Sequence, residues 1–157
     1  MTIQWREALR VGDPQIDSDH QHLIDLINHF EAAISGHIDH RKVAVVLLGL
    51  VEYTGQHFQR EEAIQRRIRY TYGEAHCKQH RDVLHQLNEL LHEYTKSKGD
   101  VRDRMVVEMA DFLKHWLIDH IIESDLRMRP FIQKMQHEQE DAAKRRAAAI
   151  SASLSPK

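Results

Sequence analysis

The chain holds a single cysteine, Cys77, so no internal disulfide framework exists, and that usage suits a reducing compartment. Proline and glycine are scarce, at 3 and 6 of 157 residues, and aromatics make up only 6%. So few turn formers and strand-loving rings point to a mostly helical protein. Long hydrophobic runs are missing too. The longest, VAVVLLGLV at 43–51, is far too short to span a bilayer. Neither sign of charge dominates, with 22 basic against 24 acidic residues, which argues against nucleic acid or a membrane surface as partner. The N-terminal MTIQWREALRVGD is charged where a secretory signal would be apolar. The expectation is a soluble, cytoplasmic, one-domain protein long enough to bury a real core.

What the sequence has in excess is histidine, 13 residues of it. Histidine is the commonest metal ligand among side chains, so its placement matters. Chance alone supplies about one pair at i, i+4 spacing in such a chain, and a lone HxxxH therefore carries little weight.

Apolar periodicity divides the chain into four helices. Residues 1–16 read as an irregular arm with turn signals at Gly12, Asp13 and Pro14. Asp17 to Asp19 offer N-caps for a first helix, whose stripe His20, Leu23, Ile24, Ile27, Phe30 and Ile34 runs to the stop at Ser35 and Gly36. Asp39 can cap the second, with Val43, Leu47, Leu50, Thr54, His57 and Glu61 facing inward. Thr71 with Glu74 reads as a capping box opening the third, which carries His76, His80, Val83, Leu87 and Tyr94. The fourth starts near Val101 and carries Met109, Leu113, Trp116, Leu117, His120 and Ile121. Pro130 should end it or begin a short fifth helix. Joined by short loops, these predict an all-α, up-down-up-down four-helix bundle over 17–129. The polar, Ala-rich segment 130–157 reads as a helical extension that frays into a disordered tail.

Taken singly, the inward polar residues have ordinary explanations. His20 could be a hydrogen-bonded core histidine; His57 with Glu61 could be a helix pair contributing about 0.2–0.5 kcal/mol. Together they are harder to explain. Five buried imidazoles and two buried carboxylates cannot all satisfy one another in a core this small, and each unpaired ion costs several kcal/mol. Facing helices of a bundle commonly hold metals. Seven donors exceed the four of a tetrahedral zinc and suit two octahedral ions bridged by carboxylates. Imidazole with carboxylate favours iron and leaves copper and zinc open.

The motifs IDSDH (His20), HFQREE (His57, Glu61), HCKQH (His76, His80) and WLIDHIIESD (His120, Asp125), in that order, resemble those of the hemerythrin family, in particular its single-domain bacterial members. The resemblance spans roughly residues 5 to 130. It implies two non-heme iron ions, one held by His76, His80 and His120 and the other by His20 and His57. Glu61 and Asp125 would bridge them beside an oxo or hydroxo group. It also implies reversible O2 binding at an open position on the two-histidine iron, with Phe58, Trp116, Leu117 and Ile121 as the oxygen pocket. Oxygen transport, storage or sensing would follow, with O2 and an oxygen-consuming enzyme or signalling protein as partners, and a monomer or weak oligomer as the assembly. Two departures stand out: Gln65 replaces a common methionine and Thr71 a common proline, so a polar amide is expected near the site. The i, i+5 spacing of His120 and Asp125 turns about 140° past the starting face of a regular helix, which predicts a local π-type distortion.

Two other functions compete. A di-iron ferroxidase or peroxide-handling enzyme of the ferritin type needs two ExxH pairs, and this chain has one, Glu89 to His92. An iron- or zinc-binding regulatory bundle is the third reading. The remaining histidines, at 22, 29, 37, 40, 85, 92, 115 and 137, read as surface or loop residues, and Cys77 as a small packing residue.

Overall fold

A computed structural model describes residues 2–154, which are entirely helix, turn and irregular chain. The bundle is formed by α1 (Pro14–Ala33), α2 (His40–Arg67), α3 (Gly73–Lys96) and α4 (Gly99–Glu123), and α5 (Arg129–Leu154) follows a short 3-10 turn at Asp125–Met128. Each helix packs on its sequence neighbour and α1 meets α4, which closes the square expected from the apolar stripes. The core runs the length of the bundle through Leu23, Ile27, Phe30, Leu47, Leu50, Leu87, Met109, Leu113 and Leu117. No described helix is long and apolar enough to cross a membrane.

Several element ends differ from expectation, each for a local reason. α1 begins at Pro14, capped by Asp13, whose carboxylate accepts from the Gln15 and Ile16 amides. Proline fits the first helical position because its missing N–H would be unpaired there anyway. Asp17, expected as a cap, instead accepts from the Val11 and Gly12 amides at 2.7 and 3.2 Å and ties the arm to the helix. Asp39 caps α2 as expected, accepting from the Arg41 and Lys42 amides.

The Thr71–Glu74 capping box does not form: Tyr72 stands at the α3 N-cap with no side-chain cap. The close of α2 dictates that outcome. Arg69 takes a left-handed φ of 53°, its amide bonds Arg66 O, and the Tyr70 amide bonds Gln65 O. This pair of reversed bonds is a Schellman motif, and the tight turn it makes leaves Thr71 exposed. Between α3 and α4 only Ser97 and Lys98 intervene, and Gly99 supplies the left-handed φ of 55° that so short a link requires.

The end of the bundle that holds the functional cluster is closed by a second apolar group, Val11, Ile16, Ile64, Ile68, Tyr70, Met128 and Ile132. Arm and α5 meet there, with Arg129 donating to the Ala8 and Arg10 carbonyls and Gln136 to Gly12 O at 3.0 Å. Beyond this anchor α5 continues as an exposed helix to Leu154; the expected fraying beyond it falls on 155–157, outside the described residues.

Candidate metal centre

Helical repeat explains how the donors meet. His57, Glu61 and Gln65 lie on successive turns of one face of α2, and His76 and His80 on successive turns of α3. His20 projects from α1 and His120 from the last turn of α4. Asp125 arrives by a different device from the π-type widening expected. α4 simply ends at Glu123, Ser124 stretches to φ −118°, and a tighter 3-10 turn carries Asp125 inward. The last α-type bond, from the Ser124 amide to His120 O at 2.9 Å, closes the helix just before that turn.

All seven expected donors are buried and converge in two groups that share Glu61: His76, His80, His120, Asp125 and Glu61 in one, His20, His57 and Glu61 in the other. In the first group, His76 Nε2 stands 3.1 Å from Glu61 Oε1, 3.0 Å from Asp125 Oδ1 and 3.1 Å from His120 Nε2. His80 Nε2 is 3.2 Å from His120 Nε2 and 3.5 Å from Glu61 Oε1, and His120 Nε2 is 3.1 Å from Asp125 Oδ1. On the other side, His57 Nε2 lies 3.4 Å from Glu61 Oε2, and His20 Nε2 lies 3.1 Å from Asp125 Oδ2. Adjacent corners of an octahedron with metal–donor bonds of about 2.1 Å are about 3.0 Å apart. The spacings are those of donors around a cation.

Hydrogen bonding supports the same conclusion. Both ring nitrogens of His20, Glu61 Oε2, His76 Nδ1 and both oxygens of Asp125 are buried without a hydrogen-bond partner. His20 and Asp125 are near each other yet not aligned to share a proton. Orphans this dense are rare in folded proteins, because each costs about 1–3 kcal/mol. The charges are equally frustrated. Burial drives the His80 imidazole down to about 2, and His120 and His76 push the same way. Burial also opposes charge on His76, but Asp125 and Glu61 outweigh it and lift that ring to about 9. Asp125, though fully buried, is held well below the usual carboxylate range by His120, His20 and His76. Without metal the cluster needs protons as counter-charge. Metal cations supply that charge and would engage His20 Nε2, Glu61 Oε2 and both oxygens of Asp125, so the residues present fit a metal centre.

Outside this ring stand side chains that the sequence reading did not identify as orienting groups. Asp19, read as a cap, faces His57 Nδ1 at 3.3 Å and also accepts from Arg60 and Tyr53 at 2.7 and 2.8 Å. Those contacts hold Asp19 ionised far into acid despite its burial. Glu62 faces His80 Nδ1 at 3.1 Å. Carboxylates in these positions fix the ring tautomer and aim Nε2 at a metal. The signal was their adjacency to His20 and Glu61. Gln65, expected near the site, is buried and donates to Glu61 Oε1 at 2.9 Å.

Of the expected pocket residues, Phe58 stacks on His80 with ring centroids 3.8 Å apart, and Trp116 stacks on His120 at 5.0 Å. Leu117 and Ile121 are buried in the same core group as Phe58. Among the histidines expected at the surface, His40 is an exception. It is half-buried at the far end of the bundle, with Nδ1 3.1 Å from Tyr94 Oη and Nε2 2.8 Å from Asp103.

Comparison with known proteins agrees with this geometry. The family model of the Hemerythrin HHE cation binding domain matches residues 11–132. A bacteriohemerythrin of Pseudomonas aeruginosa is 31% identical over 123 residues, 78% of this chain and 76% of that protein. Another from Clostridium acetobutylicum is 25% identical, covering 77% of this chain and 94% of its own. The crystal structure of a wild-type hemerythrin shares the fold, with a TM-score of 0.74 at 20% identity over 84% of this chain and 98% of its own. The chain belongs to the hemerythrin family.

Proposed function

We propose that this bundle holds two non-heme iron ions and binds O2 reversibly there, as a cytoplasmic oxygen carrier, store or sensor. The observation that supports the reading most is the division of labour within Glu61 and Asp125. One oxygen of each faces the three-histidine group and the other faces the two-histidine group. Such a pair bridges two cations and neutralises part of their charge. Two iron ions would supply the electrons that reversible O2 binding draws on. The chain offers five donors to one ion and, counting the second oxygen of Asp125 beside His20, four to the other, so the open position falls beside His20 and His57.

Phe58, Trp116, Leu117 and Ile121 would keep water and anions from that position. Asp19 and Glu62 keep His57 and His80 in the donor tautomer. Five imidazoles against two carboxylates is the reverse of the carboxylate-rich donor set of ferritin-like bundles. That balance sets oxygen binding above a ferroxidase or peroxide-handling enzyme. Bacteriohemerythrins from Pseudomonas and Clostridium carry the corresponding name. O2 would pass to an oxygen-consuming enzyme, or its binding would be read by a signalling protein.

The decisive experiment is a visible spectrum of iron-loaded, reduced protein under argon, after air and after renewed deoxygenation, with metal analysis. The expected result is two irons per chain and a band that comes and goes with O2. One zinc without iron, or a spectrum indifferent to O2, overturns the reading.

A further inference from the structure

We infer that Gln65 is a positioning residue that sets the redox poise of the centre, acting through the oxygen of Glu61 that faces the three-histidine group. The inference rests on the iron reading above. Gln65 lies one turn beyond Glu61 on α2, and its side-chain amide donates to Glu61 Oε1 at 2.9 Å. That same oxygen faces His76 and His80 at 3.1 and 3.5 Å. Its fellow, Oε2, has no hydrogen-bond partner at all. The two ends of one carboxylate are thus made chemically unequal by a single neighbour.

The orientation of the amide is fixed by its other end. Cys77, half-buried on α3, points its thiol at Gln65 Oε1 from 3.8 Å. Flipping the amide would set its oxygen against Glu61 Oε1 and its NH2 against a weak acceptor, so the observed sense is the favourable one. Burial and this clamp make the donor a fixed part of the site, with only 3% of Gln65 exposed.

A hydrogen bond donated to an anionic ligand withdraws electron density from it. The ligand then stabilises a more highly charged metal less well, and the reduced state gains. Burial strengthens the effect, because solvent does not screen the bond. Gln65 therefore favours the diferrous form, which is the form that takes up O2. Cys77 contributes by holding the amide in place.

The test compares the wild type with Gln65→Met, which keeps length without a donor, with Gln65→Leu, and with Cys77→Ala. Iron content, the melting temperature of the metal-free chains and the midpoint potential of the iron-loaded chains are measured on each. Expected are two irons throughout and a lower potential in both Gln65 variants. The shift should be about tenfold in the ferrous-to-ferric ratio at fixed potential, or about 59 mV for one electron. Met and Leu should shift the potential alike even where their melting temperatures differ, and Cys77→Ala should shift it less in the same direction. If wild type and both Gln65 variants load two irons at one common potential, Gln65 has no such role although the iron reading stands. If the potential instead follows melting temperature across the variants, the effect is packing and the inference is overturned. A wild type that takes up no iron removes the iron reading and this role together.

Discussion

Glu61 and Asp125 present their carboxylates in parallel, although one comes from mid-α2 and the other from the turn after α4. Glu61 Oε1 and Asp125 Oδ1 stand 3.1 and 3.0 Å from His76 Nε2, while Oε2 and Oδ2 stand 3.9 and 3.1 Å from His20 Nε2. Each carboxylate thus spans the same pair of imidazoles, His76 and His20. Their negative charge would offset that of two buried cations.

Removing one bridge should therefore cost metal before it costs fold. Glu61→Gln preserves size and the contact with Gln65 but loses the negative charge. The expected outcome is fewer than two irons per chain and a smaller rise in melting temperature on metal loading. Metal analysis and paired melts with and without iron check this. Unchanged iron content and an unchanged metal-dependent rise would show that Glu61 does not bridge.

A pH effect independent of the centre is expected at the α1–α4 contact. The Lys114 ammonium, 2.7 Å away, holds the Glu31 carboxyl below its ordinary value. Since the folded value lies below the unfolded one, the pair contributes stability at neutral pH, and this is lost as pH falls through the folded value. Glu31→Gln should cost about 0.2–1 kcal/mol at pH 7, a fall in Tm of about 1–3 °C. The two proteins should melt together once the pH lies below that folded value. A gap that persists there would mean that packing, not charge, carries the contact.

The bundle and six of the seven converging donors were legible because both rest on one period. Any residue on the apolar stripe at 3.6-residue spacing must face the core, whatever its chemistry. His20, His57, Glu61, His76, His80 and His120 are all of that kind. Asp125 lay off the period and was placed by family resemblance, and the mechanism expected for it was wrong, because a helix end redirects a chain as well as a π-bulge does. The orienting groups were not legible in the same way. Asp19 and Asp13 are equally good caps by type, and only the fold shows that Asp19 spends its carboxylate on His57, 38 residues away. Likewise His40 joins Tyr94 and Asp103 across 54 and 63 residues. No local pattern encodes such contacts.

The Schellman close of α2 gives a stabilising change. Arg69 holds a left-handed φ of 53° that a side chain bears at a cost of about 1–2 kcal/mol. Its side chain makes no hydrogen bond or ion pair among the described residues. Arg69→Gly relieves the strain and gives back part of the gain as unfolded-chain entropy. A net rise of about 0.5–1 kcal/mol is expected, visible as an increase of about 1–4 °C in the melting temperature. A lower melting temperature would show that the guanidinium contributes more than the strain costs.

The pocket offers the sharpest separation of oxygen binding from metal storage. Leu117 lies one turn before His120 on α4 and is 1% exposed, packed in the core group that includes Phe58 and Ile121. Leu117→Ala removes buried methyl groups and leaves a cavity, which should cost about 2–5 kcal/mol of stability. One turn from His120, that cavity would open towards the centre, so water and small anions should reach it more readily. The variant is expected to keep two irons, to form the oxygenated band, and to lose it in air several-fold faster than the wild type, with a further acceleration by azide. His137→Ala, on the exposed part of α5 beside Asp141 at 3.8 Å, should change neither iron content nor decay. Decay of the visible band in air measures all of this. If Leu117→Ala decays at the wild-type rate while its melting temperature falls, Leu117 serves packing alone. The guard would then be Phe58 and Trp116, the two rings that stack directly on His80 and His120.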